Sequence, residues 1–85
     1  MANEKPLHRV SLGRIRAAIW LNVNEQGQRY FRTNLVRHYR NGDEWLESSN
    51  YFPEELPLVA QVAQMACTWM CEHQHLLTQE EPAEL

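Results

Sequence analysis

The sequence predicts an α+β domain, in which an antiparallel sheet of three or four strands precedes one C-terminal helix. Residues 14–21 and 29–40 alternate in polarity with a period of two, which is typical of strands with one buried face. The pair Asn41-Gly42 follows the second run and indicates a tight hairpin turn. From residue 56 onward, apolar residues recur at helical spacing instead.

All 85 residues are expected to belong to a single domain, because a chain of this length rarely forms two cores. No apolar run approaches the roughly 20 residues of a membrane span, and residues 1–6 lack the apolar stretch of a secretory signal. We therefore expect a cytoplasmic protein with no membrane partner. The chain divides into a loose N-terminus at 1–6, the sheet at 7–52, the helix at 53–75 and a frayed acidic tail at 76–85.

The first half of the chain supplies strands whose two faces can be told apart. His8–Leu12 is predicted as a short first strand, and Gly13 allows the bend that follows it. Alternation in the next strand places its apolar side chains on one face, which are Ile15, Ala17, Ile19 and Leu21. The opposite face carries Arg14, Arg16, Ala18 and Trp20.

The Asn-Gly turn sets the expected register of the hairpin that follows. If Asn41 and Gly42 are its two central residues, Arg40 pairs with Asp43. The same register pairs His38 with Trp45 and Arg32 with Tyr51, whereas a bulged turn would shift every pairing by one residue. The face away from the core then carries Tyr30, Arg32, His38, Arg40, Trp45 and Tyr51.

The predicted helix has more apolar surface than a small sheet requires. Pro53 suits its first turn, and the two acids that follow suit the positive end of the helix dipole. Two apolar stripes lie side by side along the helix, whereas one sheet is expected to cover one stripe. The surplus predicts a homodimer whose interface contains Val62, Met65 and Trp69.

Charge is distributed unevenly along the chain. The net charge is −3, but all eight Lys and Arg residues lie between Lys5 and Arg40, a stretch that contains one acid and carries +7. Residues 41–85 contain nine acids and no Lys or Arg, so they carry −9. Such asymmetry indicates either a face that binds polyanions or two halves that neutralise each other when they pack.

Cations and aromatic rings converge on one predicted sheet face. Single-stranded nucleic acid would account for them, because bases stack on aromatic rings while arginines contact phosphates. Cross-strand pairing that only stabilises the sheet, and burial in an oligomer, are the alternative explanations. The candidate nucleic-acid-binding residues are Arg14, Arg16, Trp20, Tyr30, Arg32, His38, Arg40, Trp45 and Tyr51.

Little in the sequence indicates catalysis or a bound cofactor. Cys67, Cys71, His73 and His75 have the spacing C-x3-C-x-H-x-H, which matches no common zinc site. The two cysteines are expected to be small core residues. The chain has no glycine-rich phosphate loop. We therefore expect no enzyme activity, no metal or cofactor, and no small-molecule substrate.

The order of elements and three short segments resemble the DNA-binding domain of the transcriptional positive cofactor four family and its small bacterial relatives. The segments are residues 13–16 at a strand start, 37–40 before the hairpin turn and 53–54 at the helix start. The resemblance covers residues 12–72. It implies a twisted antiparallel sheet with one helix, a homodimer, and binding of single-stranded DNA on the sheet.

Residues 15–20 and 39–45 also resemble segments of short uncharacterised bacterial, plasmid and phage proteins, which imply no function. The expected function is non-catalytic binding of single-stranded nucleic acid, DNA more than RNA, with low sequence specificity. A protein–protein interaction module that uses the same aromatic face is the alternative. Salt separates the two, because counterion release makes nucleic-acid affinity fall steeply as salt rises.

Overall fold

Four antiparallel strands form one sheet in chain order and a single long helix follows them, as the sequence predicts. A computed structural model describes residues 5–78, so the predicted acidic tail lies outside it from residue 79 onward. No helix in that described stretch is both long and apolar enough to span a membrane. Two 3₁₀ turns, Pro53–Glu55 and Gln74–Leu77, flank the helix. The elements are β1 (His8–Leu12), β2 (Ile15–Val23), β3 (Arg29–Asn41), β4 (Glu44–Ser48) and α1 (Leu56–Glu72).

The β3–β4 hairpin has a different register from the predicted one. Asn41 pairs with Glu44, so Gly42 and Asp43 are the central turn residues. A type I′ turn centred on Asn41-Gly42 would need a positive φ at both positions, but only Gly42 has one, at +66°. A turn with glycine at its first central position avoids that cost. The register shifts by two residues, which keeps each strand side chain on its predicted face.

α1 packs on one face of the sheet and creates the core there. The face of β2 that alternation marks as apolar supplies Ile15, Ala17 and Ile19, which have no exposed surface. Val62 and Ala66 of the helix complete this buried cluster, and the helix lies against β1, β2 and β3. Half-buried side chains surround the cluster, namely Val10, Leu12, Phe31, Leu35, Tyr51, Val59, Trp69 and Met70.

Two of the three residues predicted at a dimer interface pack in or against this core. Val62 is fully buried between helix and sheet. Trp69 stacks between His8 and His73, with ring centroids 4.5 and 3.9 Å away. Met65 is half-buried and lines a shallow groove of about 330 Å³ beside β1. The prediction assumed that the sheet covers one stripe, but three strands lie beneath the helix and cover part of both stripes, while Ala63 and Cys67 stay exposed.

The prediction that Tyr51 lies on the face away from the helix is wrong. β4 ends at Ser48, so no strand carries Tyr51 opposite Arg32. The chain crosses to the helix side instead, where the Tyr51 hydroxyl donates a hydrogen bond to the Leu35 carbonyl oxygen at 2.5 Å. Burial raises the pKa of the Tyr51 phenol above its ordinary value, and the nearby Arg37 cation opposes this shift.

Arg37 holds this crossing in place on the helix side. Its Nε donates to the Asn50 carbonyl oxygen at 3.0 Å and lies 3.4 Å from Glu55 Oε1. The guanidinium carbon also lies 4.9 Å from the ring centroids of Tyr39 and Phe52. An arginine on the apolar face is therefore compensated by a carboxylate and two aromatic rings.

Ile19→Ala is expected to lower the free energy of unfolding by about 2–5 kcal/mol, because it opens a cavity in a small core. Urea unfolding followed by far-UV circular dichroism measures the loss. Val23→Ala, on the same strand and face, is the control. Val23 is 58% exposed, so its truncation should cost less than about 0.5 kcal/mol. Equal losses in the two variants would contradict the burial pattern.

Tyr51→Phe is expected to lower the free energy of unfolding by about 0.5–1.5 kcal/mol at neutral pH, because it removes one hydrogen bond and keeps the ring. The raised pKa means that the folded state favours the neutral phenol, so this contribution is lost as pH rises above about 10. Urea unfolding from neutral pH to about pH 11 should therefore show the two proteins converging. A difference that widens over that range would refute the assignment.

Candidate nucleic-acid interface

The face of the sheet opposite α1, here called the open face, collects side chains from all four strands. The strand pairing shows which side chains lie on the open face. Arg9 pairs with Ala18 and Ala18 pairs with Asn34, so these three residues lie on one face, together with every second residue of their strands. Arg14 borders the open face from the β1–β2 turn. Its cations, rings and acid are Arg9, Arg16, Trp20, Tyr30, Arg32, His38, Arg40, Trp45 and Glu47.

Positive charge dominates the open face although the chain is net negative. With Arg14 included, the face holds five of the eight Lys and Arg residues of the chain. Glu47 is its only acid among the strand residues of the described chain. Glu44 lies three residues before Glu47 on the same strand, so the alternation of side chains places it on the other face. Of the two acids of β4, only Glu47 therefore faces the arginines of the open face.

Each tryptophan of the open face has an arginine directly across the ladder. Trp20 pairs with Arg32, whose guanidinium carbon lies 4.7 Å from the indole centroid. Trp45 pairs with Arg40 at 5.6 Å. Trp45 is 63% exposed and Tyr30 is 43% exposed, so both rings offer accessible surface. A base that stacks on either tryptophan has a guanidinium within reach of its phosphate.

Two neighbouring depressions run along the open face. One has a volume of about 310 Å³ and includes the small side chain of Ala18 beside Trp20. The other, of about 420 Å³, extends to Trp45. Arg16 and His38 line both. The partners of the two tryptophans are eight residues apart on β3, or about 26 Å, which suits a run of nucleotides better than one small molecule.

His38 lies where the two depressions meet, and its cross-strand partner is Glu47 rather than the predicted Trp45. The imidazole Nε2 lies 3.3 Å from Glu47 Oε2. This nitrogen is buried and forms no hydrogen bond of acceptable geometry within the described residues. The single acid of the open face is thus held beside a side chain that forms an ion pair with it when protonated.

Eight of the nine predicted binding residues lie on or beside the open face, and Tyr51 is the exception. The structure adds Arg9, which the sequence analysis missed. A signal for it existed, because a two-residue turn at Gly13 and Arg14 sets Arg9 opposite Ala18. Alternation within His8–Leu12 was too short to assign its faces without that turn length.

No group of three or more side chains suited to hold a metal ion occurs within residues 5–78. Cys67 and Cys71 are free and exposed on α1, so the expectation that they are core residues is wrong. The side-chain hydrogen bond with Cys67 is the main cause that raises the pKa of the Cys71 thiol. A raised thiol pKa keeps the sulfur protonated, which works against metal binding at neutral pH.

No protein-family model matches the chain, and neither a curated protein nor a solved structure gives a significant match. The resemblance to the positive cofactor four family therefore rests on the segments that carry it, at residues 13–16, 37–40 and 53–54. Function is inferred from the geometry of the open face.

Proposed function

We propose that this protein binds single-stranded nucleic acid on the open face, without catalysis and with low sequence specificity. The pairing of each tryptophan with a cross-strand arginine carries the proposal. Stacking on an aromatic ring contributes about 1–3 kcal/mol per base and tolerates any sequence. The paired guanidiniums supply phosphate contacts, which are stronger than neutral hydrogen bonds. The preference for DNA over RNA follows from the family resemblance alone.

The shape of the open face favours unpaired strands over a duplex. No described helix lies on this face, so no helix there can enter a major groove to read base edges. A sheet with exposed rings instead presents flat surfaces to bases that have left a stack. The arginines lie at intervals along it: Arg32 and Arg40 on β3, with Arg16 opposite Val36 between them.

A protein–protein interaction module is the second candidate, and the exposure of Trp45 favours it. Tryptophan, tyrosine and arginine are enriched among the residues that dominate protein interfaces. A protein partner would cover the same rings, but its affinity would not show the steep linear dependence on log salt that phosphate contacts produce. Salt dependence therefore separates the two candidates.

An oligodeoxythymidine of about 12 nucleotides is expected to quench tryptophan fluorescence, and an oligouridine of the same length should bind more weakly. Trp20→Ala and Trp45→Ala should each weaken binding by about 1–3 kcal/mol, since each removes a stacking ring. Titrations at physiological salt keep long-range charge effects screened. Tyr51→Phe is the control and should bind as the wild type does, because Tyr51 lies on the helix side. The absence of quenching by both oligonucleotides at tens of micromolar protein would favour the protein-interface candidate.

Glu47→Gln is expected to tighten binding of the same oligodeoxythymidine by about 0.5–1 kcal/mol, because it removes the one acid of the open face. Glu44→Gln is a matched control that removes the same formal charge from the opposite face of the same strand. Fluorescence anisotropy over a salt series measures both affinities. If the two variants bind equally more tightly, net charge governs binding and the open face does not.

A further inference from the structure

One stretch of β3 has no strand beside it on one edge. β2 pairs with residues 29–37 of β3, whereas β4 pairs on the other edge only with residues 37–41. Within the described part of the chain, no strand therefore pairs with residues 29–36 on the β4 side; the turn Gln74–Leu77 contacts β3 at the Arg29 end, where Arg29 Nη1 donates to the Leu76 carbonyl oxygen at 3.0 Å. A strand edge of this length, with unpaired backbone groups, is a template for another strand.

Alternate residues of β3 direct their backbone N–H and C=O groups to opposite edges of the strand, and one hydrogen bond shows which residues face the free edge. The N–H of His38 donates to the Arg14 carbonyl oxygen at 2.8 Å, so the even-numbered residues of β3 bond towards β2. The odd-numbered residues from 29 to 33 direct their N–H and C=O groups outward. The outward carbonyl of Leu35 already accepts the Tyr51 hydroxyl, which closes the edge at that end.

We infer that this edge pairs with the same edge of a second copy, antiparallel about a two-fold axis at Phe31. Such a contact is self-complementary, so the chain supplies its own partner. An axis at Arg32 would set two guanidiniums directly opposite each other, which is unfavourable. An axis at Thr33 would need the Leu35 carbonyl that is already occupied.

The axis at Phe31 gives complementary contacts on both faces. On the open face, Tyr30 stands opposite Arg32 of the partner subunit, the kind of pairing that Arg32 already makes with Trp20 at 4.7 Å. On the helix face, the two half-buried Phe31 rings meet. Each is already packed edge-on against Trp69, with ring centroids 5.9 Å apart, so the contact extends an existing apolar cluster.

The flank of α1 above this edge is apolar, which fits burial against a second copy. Met70 marks the flank, because the Thr33 hydroxyl donates to its sulfur at 3.4 Å. Helical spacing places the exposed side chains of Ala63 and Cys67 on the same flank. The flank towards β1 is mixed, because Gln61, Gln64, Thr68 and Glu72 lie there beside Met65 and Trp69. The absence of such polar side chains around Ala63, Cys67 and Met70 favours the β3 edge over the outer edge of β1.

The pairing makes one surface of two open faces. A two-fold axis perpendicular to the sheet keeps both open faces on the same side, with Tyr30 and Arg32 of each copy at the junction. This consequence rests on the proposed function. A nucleic-acid strand long enough to cross the junction contacts both copies and binds more tightly than a short one.

Disulfide trapping tests the interface without nucleic acid. In a background with Cys67→Ala and Cys71→Ala, the pair Tyr30→Cys with Arg32→Cys should give a covalent dimer under mild oxidation. The Cα atoms of directly opposite residues in an antiparallel pair lie about 4.5–5.5 Å apart, within the Cα–Cα span of a disulfide. Arg32→Cys alone reports an axis at Arg32, and Arg32→Cys with Asn34→Cys reports an axis at Thr33. Non-reducing electrophoresis gives the yield of each.

The pair Arg9→Cys with Ser11→Cys is the matched control. It has the same spacing on the open face of β1, the other edge strand, and should stay monomeric. Cross-linking of this control at equal yield would overturn the inference, as would a wild-type monomer in sedimentation equilibrium with no cross-linked product. Cross-linking of Arg32→Cys alone at the same yield as the Tyr30→Cys pair would overturn the axis at Phe31, as would cross-linking of Arg32→Cys with Asn34→Cys when the Tyr30→Cys pair gives no product.

Thr33→Pro separates the interface from the proposed function. The Thr33 N–H points outward, so proline removes an edge donor and no bond to β2. With an unchanged circular dichroism spectrum, the variant should be monomeric, bind a short oligodeoxythymidine as the wild type does, and lose the added affinity for a long one. A wild-type dimer that binds no oligonucleotide would overturn the proposed function alone. A wild-type monomer that binds both lengths equally would overturn the interface alone.

Discussion

Burial of one sheet face beneath a single helix is the constraint on which the rest of the structure depends. Ile15, Ala17 and Ile19 place every fully buried strand residue on that face, and α1 is the only long helix in the described chain. The other face must therefore remain stable in water. It does so by setting its large rings beside guanidiniums, so that Trp20 and Trp45 keep polar neighbours while Trp45 stays 63% exposed.

The same division separates the charges. In sequence, a cationic half precedes an acidic half, and mutual neutralisation would be the simplest outcome. It occurs on the helix side, where Arg37 lies 3.4 Å from Glu55. On the open face only Glu47 opposes the arginines, because strand parity turns Glu44 away. The net charge of −3 therefore describes neither face, and local charge decides which ligands approach the sheet.

The alternation of polar and apolar residues predicted the strands and the face on which each side chain lies. It could do so because burial of one face imposes a period of two, whichever residues of the neighbouring strand lie opposite. It could not give the hairpin register, which depends on whether Asn41 or only Gly42 adopts a positive φ. Tyr51 was misplaced because the predicted pairing continued β4 through Ser48-Ser49-Asn50, a polar run typical of a loop, whereas the strand ends at Ser48. The expected roles of Val62 and Trp69 depended on the width of the sheet beneath α1, a property of strand pairing that the helix sequence does not carry.

The stagger of β2 and β4 along β3 accounts for both the length of the open face and the free strand edge. Because the two partners pair with different halves of β3 and overlap only at Arg37, the open face extends along the full length of that strand. The two tryptophan–arginine pairs then lie near opposite ends of the face. The same stagger leaves residues 29–36 without a paired strand on one side. A shorter β3 would have lost both features, so the length of this one strand sets the reach of the surface and the place where a second surface can join it.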